Sequence, residues 1–138
     1  LLFSSGRKDE GVQSLADAVA ADPLNQALRV SYADLLADAG RAADAEAEYR
    51  RVLEARASDV KARLGLGVLL ARTDRLDPAV VELSRVLELA PAEDEARFER
   101  AVAYARLGRT DEARADFERL DDPATRPDIR QAARRALK

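Results

Sequence analysis

Across residues 60–93, apolar side chains recur at intervals of three or four positions, in two runs separated by a short polar stretch. Such spacing places the apolar residues of each run on one face of an α-helix. The pattern predicts an antiparallel hairpin of two amphipathic helices, 60–73 and 77–90. The residues that form the two apolar faces are Leu66, Leu69, Leu70, Ala79, Val80, Leu83, Val86 and Leu87.

The residues between the two runs carry the signals of a turn and of a helix start. Asp74 belongs to one of the few residue types besides glycine that tolerate a left-handed backbone conformation. Asp77 can accept hydrogen bonds from the free N–H groups of a first helical turn, and Pro78 has no N–H group to leave unpaired. The sequence therefore predicts a tight turn at Asp74 and an N-cap at Asp77.

The hairpin pattern recurs along the chain with a constant step, so that position 6 corresponds to positions 40, 74 and 108. A single hairpin of this size cannot bury its apolar face, so it must stack on its neighbours. The positions related by this step are, set by set, Gly6, Gly40, Asp74 and Gly108; Gly11, Ala45, Ala79 and Ala113; Leu15, Tyr49, Leu83 and Phe117; Ala18, Val52, Val86 and Leu120.

These repeats resemble the tetratricopeptide repeat (TPR) over residues 1–121. The family's small residue at the eighth place of helix A and its closing proline are matched by Ala33, Gly67 and Ala101, and by Pro23 and Pro91. The resemblance implies an all-α fold, a right-handed superhelical solenoid of antiparallel helix pairs. The chain departs from the family at the place that favours tryptophan, which holds Arg29, Arg63 and Arg97. We expect the outer layer to bury the stems of these arginines.

The repeat frame predicts one domain that covers residues 1–138. It contains a truncated repeat 1–25, repeats 26–59, 60–93 and 94–121, and a capping helix 127–137. The truncated repeat is expected to begin with the end of a broken helix, followed by helix 9–21 with Asp9 as its N-cap. Because the chain lacks methionine and starts inside a helix A, we interpret it as a fragment of a longer protein. The remaining helices are predicted at 26–39, 43–56, 94–107, 111–121 and 128–137.

The terminal helix is predicted to be amphipathic, with Ile129 and Ala133 on its apolar side and Arg130 and Arg134 on the other. A stack of repeats leaves its last apolar face open, and a helix with one polar side can cover it. The alternative is a linker helix that leads to a further domain.

The composition narrows the possible chemistry. Apolar residues make up 47% of the chain and charged residues 36%, as in a soluble helical protein. There is no histidine and no cysteine, so the sequence predicts no enzyme, no catalytic residue, no metal site and no cofactor. The net charge of −3 argues against binding to nucleic acid, and no apolar run is long enough for a membrane span. The absence of cysteine fits a reducing compartment such as the cytoplasm, and the bias toward alanine, arginine and aspartate suggests a bacterial genome.

The resemblance also implies a ligand-binding groove, because helix A of each repeat lines the concave side of TPR proteins. The groove positions with the clearest chemistry are Val30, Asp34, Lys61, Leu64, Val68, Arg72, Phe98, Val102 and Arg106; Phe3 and Ser4 are their counterparts in the truncated repeat. An apolar floor with charged edges suits a peptide or an amphipathic helix. The alternative is that Leu64 and Phe98 pack only against neighbouring helices.

Two functions follow from this interpretation. The first is a protein-interaction module, or scaffold, that binds a protein or peptide ligand in the groove. The second is an architectural spacer or self-association segment of a larger protein. End-to-end self-association is expected if Leu15 and Val19 of the truncated repeat are exposed.

Overall fold

The computed structural model describes residues 2–138, with side chains from Gly6 onward, so the predicted groove positions Phe3 and Ser4 lie outside the described side chains. Eight helices form the regular structure of residues 2–138. They are α1 Leu2–Ala21, α2 Gln26–Asp38, α3 Ala42–Ala55, α4 Val60–Arg72, α5 Leu76–Leu89, α6 Asp94–Arg106, α7 Thr110–Leu120 and α8 Pro127–Ala136. From α2 onward each boundary lies within one residue of its predicted position, and the all-α fold class is confirmed.

The helices group into two compact units, which divide after Leu69. In the first unit α1 packs on α2 and α2 packs on α3. In the second unit α5 packs on α6, α6 packs on α7, and α8 packs on both α6 and α7. Helix α4 contains the dividing position, with its residues up to Leu69 in the first unit. Neighbours along the chain are therefore neighbours in space within each unit, as expected for helical hairpins.

A left-handed residue closes the turn of each hairpin. The backbone φ angle is 79° at Gly40, 62° at Asp74 and 79° at Gly108. The residue that follows donates its N–H to the carbonyl five positions earlier, an arrangement that satisfies helix-end carbonyls. These hydrogen bonds, each 2.9 Å long, join Arg41 to Leu36, Arg75 to Leu70, and Arg109 to Tyr104. The predicted tight turn at Asp74 is confirmed.

In the three full repeats, the repeated positions that follow the turn form the cores of both units, whereas the turn positions Gly40, Asp74 and Gly108 are exposed. Small residues lie where helices approach each other closely, and large apolar residues fill the space beside them. Among the buried members are Ala45, Tyr49 and Val52 in the first unit, and Ala79, Leu83, Val86, Ala113, Phe117 and Leu120 in the second. The predicted small positions Ala33, Gly67 and Ala101 are buried as well. The repeat register is therefore confirmed.

The arginine at the tryptophan place makes the same contact in all three repeats. Its Nη2 atom donates to the carbonyl oxygen six residues earlier, in the loop that precedes the helix. The donor–acceptor pairs are Arg29 to Pro23 (3.3 Å), Arg63 to Ala57 (2.7 Å) and Arg97 to Pro91 (3.0 Å). Each arginine thus ties the start of its A helix to the end of the preceding repeat.

Buried carboxylates lie beside two of these arginines. Arg29 forms an ion pair with Glu48 at 2.6 Å, and both side chains are largely enclosed, with exposed fractions of 13% and 11%. Arg97 lies 3.6 Å from Asp116. The same carboxylate of Asp116 accepts two hydrogen bonds from Arg100, at 2.8 and 2.7 Å. Burial, followed by the nearby Arg119, lowers the pKa of Arg97, but a guanidinium remains charged at any ordinary pH.

The predicted break at Gly6 is wrong. Helix α1 runs without interruption through Gly6 and Gly11, so Asp9 lies inside a helix and is not an N-cap. One glycine costs a helix interior about 1 kcal/mol relative to alanine. A break would leave up to four N–H and four C=O groups without helical partners, which is the larger penalty.

The predicted N-cap at Asp77 is also wrong. Helix α5 begins at Leu76, and the N-cap position is Arg75, whose side chain makes no capping hydrogen bond. The turn at Asp74 is so tight that the helix starts before Asp77 is reached. Side-chain caps occur instead after the longer loops: Asn25 Oδ1 accepts from the N–H of Leu28, and Asp59 Oδ1 accepts from the N–H of Ala62, both at 3.0 Å.

The terminal helix α8 buries Ile129 and Ala133 against a core formed with α6 and α7. The other buried members of that core are Ala101, Ala113, Phe117 and Leu120. Arginine side chains occupy the opposite side of α8, and Arg134 is exposed. This is the amphipathic packing that the sequence predicts for residues 128–137.

The reason given for end-to-end self-association is not found in the structure. Val12 and Val19 are buried, with exposed fractions of 4% and 7%, and Leu15 is half-buried. Because α1 packs on α2, the chain itself covers these side chains. They do not form the exposed apolar patch on which the expectation depended.

Two glycines that share one place in the repeat should respond in opposite ways to alanine. A Cβ atom would meet nothing within 4 Å at either Gly6 or Gly40, so the backbone decides the outcome. Gly6→Ala should raise the free energy of unfolding by about 0.5–1 kcal/mol, because Gly6 is helical. Gly40→Ala should lower it by about 1–2 kcal/mol, because its φ is positive. Urea unfolding measures both, and a Gly6→Ala variant that is destabilised would contradict the continuous α1.

Candidate binding faces on the A helices

The predicted groove positions of the first unit differ in how much they offer to a ligand. Val30 on α2 is only 6% exposed, so its assignment to an accessible apolar floor is corrected: it is a core residue. Leu64 and Val68 on α4 are half-buried, and Lys61, one turn before Leu64, is exposed. The apolar surface of this unit at the predicted positions is therefore a pair of side chains on α4.

Asp34 is held in place by a tyrosine that the sequence assigned only to the core. The hydroxyl group of Tyr49 donates a hydrogen bond to the carboxylate of Asp34. The tyrosine ring lies so close to Gly65 that a Cβ atom there would be 2.5 Å from it. Gly65 is thus required by the approach of Tyr49, a role that its position inside a helix does not reveal.

The charge on Asp34 is affected by several neighbours. Burial of the carboxylate raises its pKa above the usual range, the hydrogen bond from Tyr49 lowers it, and Asp38 raises it further. Lys61 opposes the effect of Asp38. At the predicted positions the first unit therefore presents Asp34, whose charge Lys61 stabilises, together with the half-buried Leu64 and Val68.

In the second unit one face of α6 carries both apolar and acidic side chains. Residues 95, 98, 99, 102 and 106 fall within an arc of about 100° at 100° per residue; we call this surface the α6 face. Phe98, Glu99 and Val102 are half-buried, whereas Glu95 and Arg106 are exposed. The structure thus brings the predicted Phe98, Val102 and Arg106 together on one helix.

Phe98 has two roles. Its ring packs edge-on against Phe117 of α7, with ring centroids 5.8 Å apart and an interplanar angle of 67°. Phe98 and Val102 both contact the core shared by α6, α7 and α8, yet neither is fully enclosed. Phe98 therefore belongs partly to the core and partly to the surface, between the two alternatives that the sequence left open.

The two predicted arginines differ. Arg106 forms an ion pair with Asp74, and its Nη1 atom donates to the carbonyl oxygen of Ala71 at 3.1 Å. These bonds to its own chain occupy a side chain that the sequence predicts at the charged edge of the groove. Arg72 is exposed and lies near enough to Glu99 to influence its charge.

Glu99 is a member of the α6 face that the sequence interpretation did not select. Burial raises the pKa of its carboxyl group, the nearby Glu95 raises it further, and Arg72 acts in the opposite direction. The only signal in the sequence is the four-residue spacing of two glutamates on one helix, which by itself usually marks a solvated surface. What distinguishes Glu99 from a solvated surface glutamate is its half-burial, and that is visible only in the structure.

Among residues 2–138 no group of three or more His, Cys, Asp or Glu side chains is arranged to hold a metal ion. None of the helices described in this part of the chain is long and apolar enough to cross a membrane. What both units do present, at the predicted positions, is half-buried apolar side chains, and on the α6 face these lie beside carboxylates.

These repeats match models of a known protein family. A family model described as tetratricopeptide repeat matches residues 1–60 and 79–129, and a second model with the same description matches residues 36–91. The chain belongs to the tetratricopeptide-repeat family. Members of the TPR family act as protein-interaction modules and are generally not enzymes.

Solved structures show the same fold. MamA of strain AMB-1 is 25% identical to the chain, with a TM-score of 0.74, and the match covers 86% of this chain and 70% of MamA. YrrB, described as a TPR protein with an unusual peptide-binding site, is 21% identical with a TM-score of 0.80, and the match covers 96% and 69%. A TPR protein from Parabacteroides merdae is 20% identical with a TM-score of 0.78, over 94% and 52%. No curated protein matches the sequence.

Because the pKa of Glu99 is raised, Glu99→Gln should stabilise the fold in a pH-dependent way. Because the folded-state pKa lies above the unfolded-state value, ionisation of Glu99 lowers stability as the pH rises above about 4.3, the usual glutamate pKa. Glutamine does not ionise, so the variant should unfold at a higher urea concentration than the parent at pH 7. The difference should shrink as the pH is lowered toward about 4.

Glu88→Gln, at an exposed position on α5, is the matched control for Glu99→Gln and should change the urea midpoint little. A Glu99→Gln variant that is less stable than the parent at pH 7 would show that ionised Glu99 is favourably placed, contrary to its burial beside Glu95.

Proposed function

We propose that this TPR chain is a protein-interaction module that binds a peptide or an amphipathic helix of a partner protein on an A helix, at the α6 face of the second unit. The observation that supports this most strongly is the half-burial of Phe98 and Val102, one helical turn apart on the α6 face. Leu64 and Val68 on α4 repeat the same spacing and the same half-burial in the first unit. The pairs 64/68 and 98/102 are related by the repeat step, so each of these two repeats offers an apolar pair at the same place.

The energetic reason is that a half-buried side chain has already lost most of its conformational freedom. A ligand that covers the exposed part of Phe98 gains apolar burial without immobilising a flexible group. Aromatic side chains that are anchored in this way often carry a large share of the energy of an interface. Phe98, held by Phe117, is such an anchor.

Charged neighbours would set the orientation of the ligand. In the first unit these are Asp34 and Lys61, and in the second they are Glu95, Glu99 and Arg72. Arg106 contributes less than the sequence suggested, because Asp74 and the Ala71 carbonyl already bind it. Electrostatic contacts at the edge of an interface mainly affect the association rate and the salt dependence of binding.

The shared fold is compatible with this proposal. YrrB is described as having a peptide-binding site, so proteins of this fold can present one. At 21% identity, YrrB shares the fold of the present chain, and its ligand is not transferred to this chain. The alternative function is an architectural spacer or self-association segment. In that case the apolar pairs would contact other parts of the same assembly.

Phe98→Ala should weaken a partner obtained by pull-down about thirtyfold, which corresponds to the ~2 kcal/mol typical of an aromatic anchor. Because Phe98 also contacts Phe117, this variant will lose some stability. Leu120→Ala is the matched control, since it disturbs the same core from α7, where Leu120 is buried and unavailable to a ligand. Affinity is measured by titration, and stability by thermal unfolding.

The proposal expects Leu120→Ala to lower the thermal midpoint while leaving the affinity of the folded protein nearly unchanged. Equal losses of affinity in both variants would assign the effect to the core and would contradict a binding role for Phe98. If neither variant changes the affinity, the partner does not use the α6 face, and the spacer function is favoured.

A further inference from the structure

The polar side of α8 concentrates positive charge in a chain that is acidic as a whole. Residues 126–138 hold five basic side chains and one acidic one, out of 23 basic and 26 acidic residues in the full sequence. Ile129 and Ala133 turn toward the core, so the cations are left together on the other side of the helix. We call this surface the α8 basic face; its members are Arg130, Gln131, Arg134, Arg135 and Lys138.

One carboxylate orients two of these arginines. Asp121, which directly follows α7, accepts hydrogen bonds at its Oδ1 atom from Nε of Arg130 at 3.1 Å and from Nε of Arg134 at 2.7 Å. Both bonds use the inner nitrogen of the guanidinium group. The terminal Nη groups of both arginines make no hydrogen bond within residues 2–138, and neither do the side chains of Arg135 and Lys138.

We propose that the α8 basic face binds an acidic peptide segment of a partner protein, one that carries adjacent Asp or Glu carboxylates. The terminal nitrogens of a guanidinium group match the two oxygens of a carboxylate, and such charge-assisted pairs are stronger than neutral hydrogen bonds. Asp121 holds Arg130 and Arg134 side by side, so less side-chain freedom is lost when the ligand binds.

The surface around these arginines has room for a peptide chain. Two open depressions of about 310 and 490 Å³ lie on either side of Gln131 and Arg134, which line both of them. The first is completed by Pro123, Thr125, Pro127 and Arg130, and the second by Asp121, Arg135, Leu137 and Lys138. Gln131 can bind peptide N–H or C=O groups, and the half-buried Leu137 provides an apolar contact.

A peptide fits this charge distribution better than a nucleic acid does. Residues 130–138 span only about 12 Å at about 1.5 Å per residue. A DNA duplex carries one charge per about 1.7 Å over a much greater length. The remaining 125 residues contain 25 acids against 18 bases, which disfavours a long polyanion but not a short acidic segment.

The first test uses a fluorescent peptide with six consecutive glutamates, compared with the same peptide carrying glutamines. Arg134→Gln combined with Arg135→Gln should weaken the glutamate peptide about tenfold. Arg85→Gln combined with Arg114→Gln removes the same charge from exposed positions on α5 and α7, and should change binding less than about twofold. Equal losses in the two double variants, or equal binding of the two peptides, would overturn the proposal.

The second test separates an oriented site from a general positive field. Asp121→Ala makes the region more positive, so a general field predicts tighter binding of the glutamate peptide. The proposed site predicts weaker binding, by about threefold to tenfold, because Arg130 and Arg134 lose the bonds that align them. Thermal unfolding of each variant confirms that α8 remains folded, and tighter binding by Asp121→Ala would overturn the proposal.

The last test compares the glutamate peptide with two other kinds of anion. A single-stranded oligothymidylate of the same charge and phosphatidylserine vesicles should both bind more weakly than the glutamate peptide at physiological salt. Preferential binding of either one would assign the face to that class of partner and overturn the peptide proposal. The α8 basic face shares no residue with the α6 face, so its binding is tested independently of the proposed peptide site.

Discussion

Three A helices of this chain depend on an arginine, buried at Arg97 and half-buried at Arg29 and Arg63, that ties each of them to the end of the preceding repeat. Arg29, Arg63 and Arg97 lie at the place where the TPR family favours tryptophan, and each donates to a carbonyl oxygen six residues earlier. A tryptophan would fill this place with apolar area, whose energy depends little on direction. A guanidinium must instead be paired with specific acceptors, because an unpaired buried charge is strongly destabilising. The rotation of each of these helices about its axis is constrained accordingly.

That constraint explains where the candidate binding face lies. Arg97 points toward the α6–α7 interior to reach Asp116, and Phe98 follows it by about 100° around the helix. Phe98 therefore comes to the edge of the core, where it contacts Phe117 and keeps part of its ring exposed. Val102 and Glu99 lie near Phe98 on the same side. The ion pair thus fixes which side of α6 faces the interior, and the packing around Phe98 decides how much of its ring stays exposed.

Much of the fold could be predicted because it depends on periodic features. Buried small residues such as Ala45 and Ala79 recur once in each repeat, and the left-handed residue at Asp74 stands at the same place as Gly40 and Gly108. These signals fail where the context differs between repeats. Gly6 occupies the turn place, but it lies in a continuous helix, where one glycine is less costly than two new helix ends.

The candidate site was less predictable because its properties arise from contacts between distant residues. Val30 and Phe98 share one repeat place, yet Val30 is buried and Phe98 is half-buried, which only the packing of α2 and α6 decides. The sequence does not show that Arg106 is bound to Asp74 and Ala71, 32 and 35 residues away. The pairing of one Asp121 oxygen with two arginines has no sequence signature either, because their spacing of 9 and 13 residues crosses a loop.

The most direct measurement of the role of the buried arginines is a double-mutant cycle on Arg29 and Glu48, with Arg29→Met and Glu48→Gln followed by urea unfolding. The two side chains are 13% and 11% exposed, and their charged atoms are 2.6 Å apart. We predict that each single change lowers the free energy of unfolding by about 2 kcal/mol, because it leaves the other largely enclosed charge with one remaining partner, Arg51 for Glu48 and the Pro23 carbonyl for Arg29. The double change should cost clearly less than the sum of the two. Additive losses below about 1 kcal/mol each, as for a surface ion pair, would contradict the account.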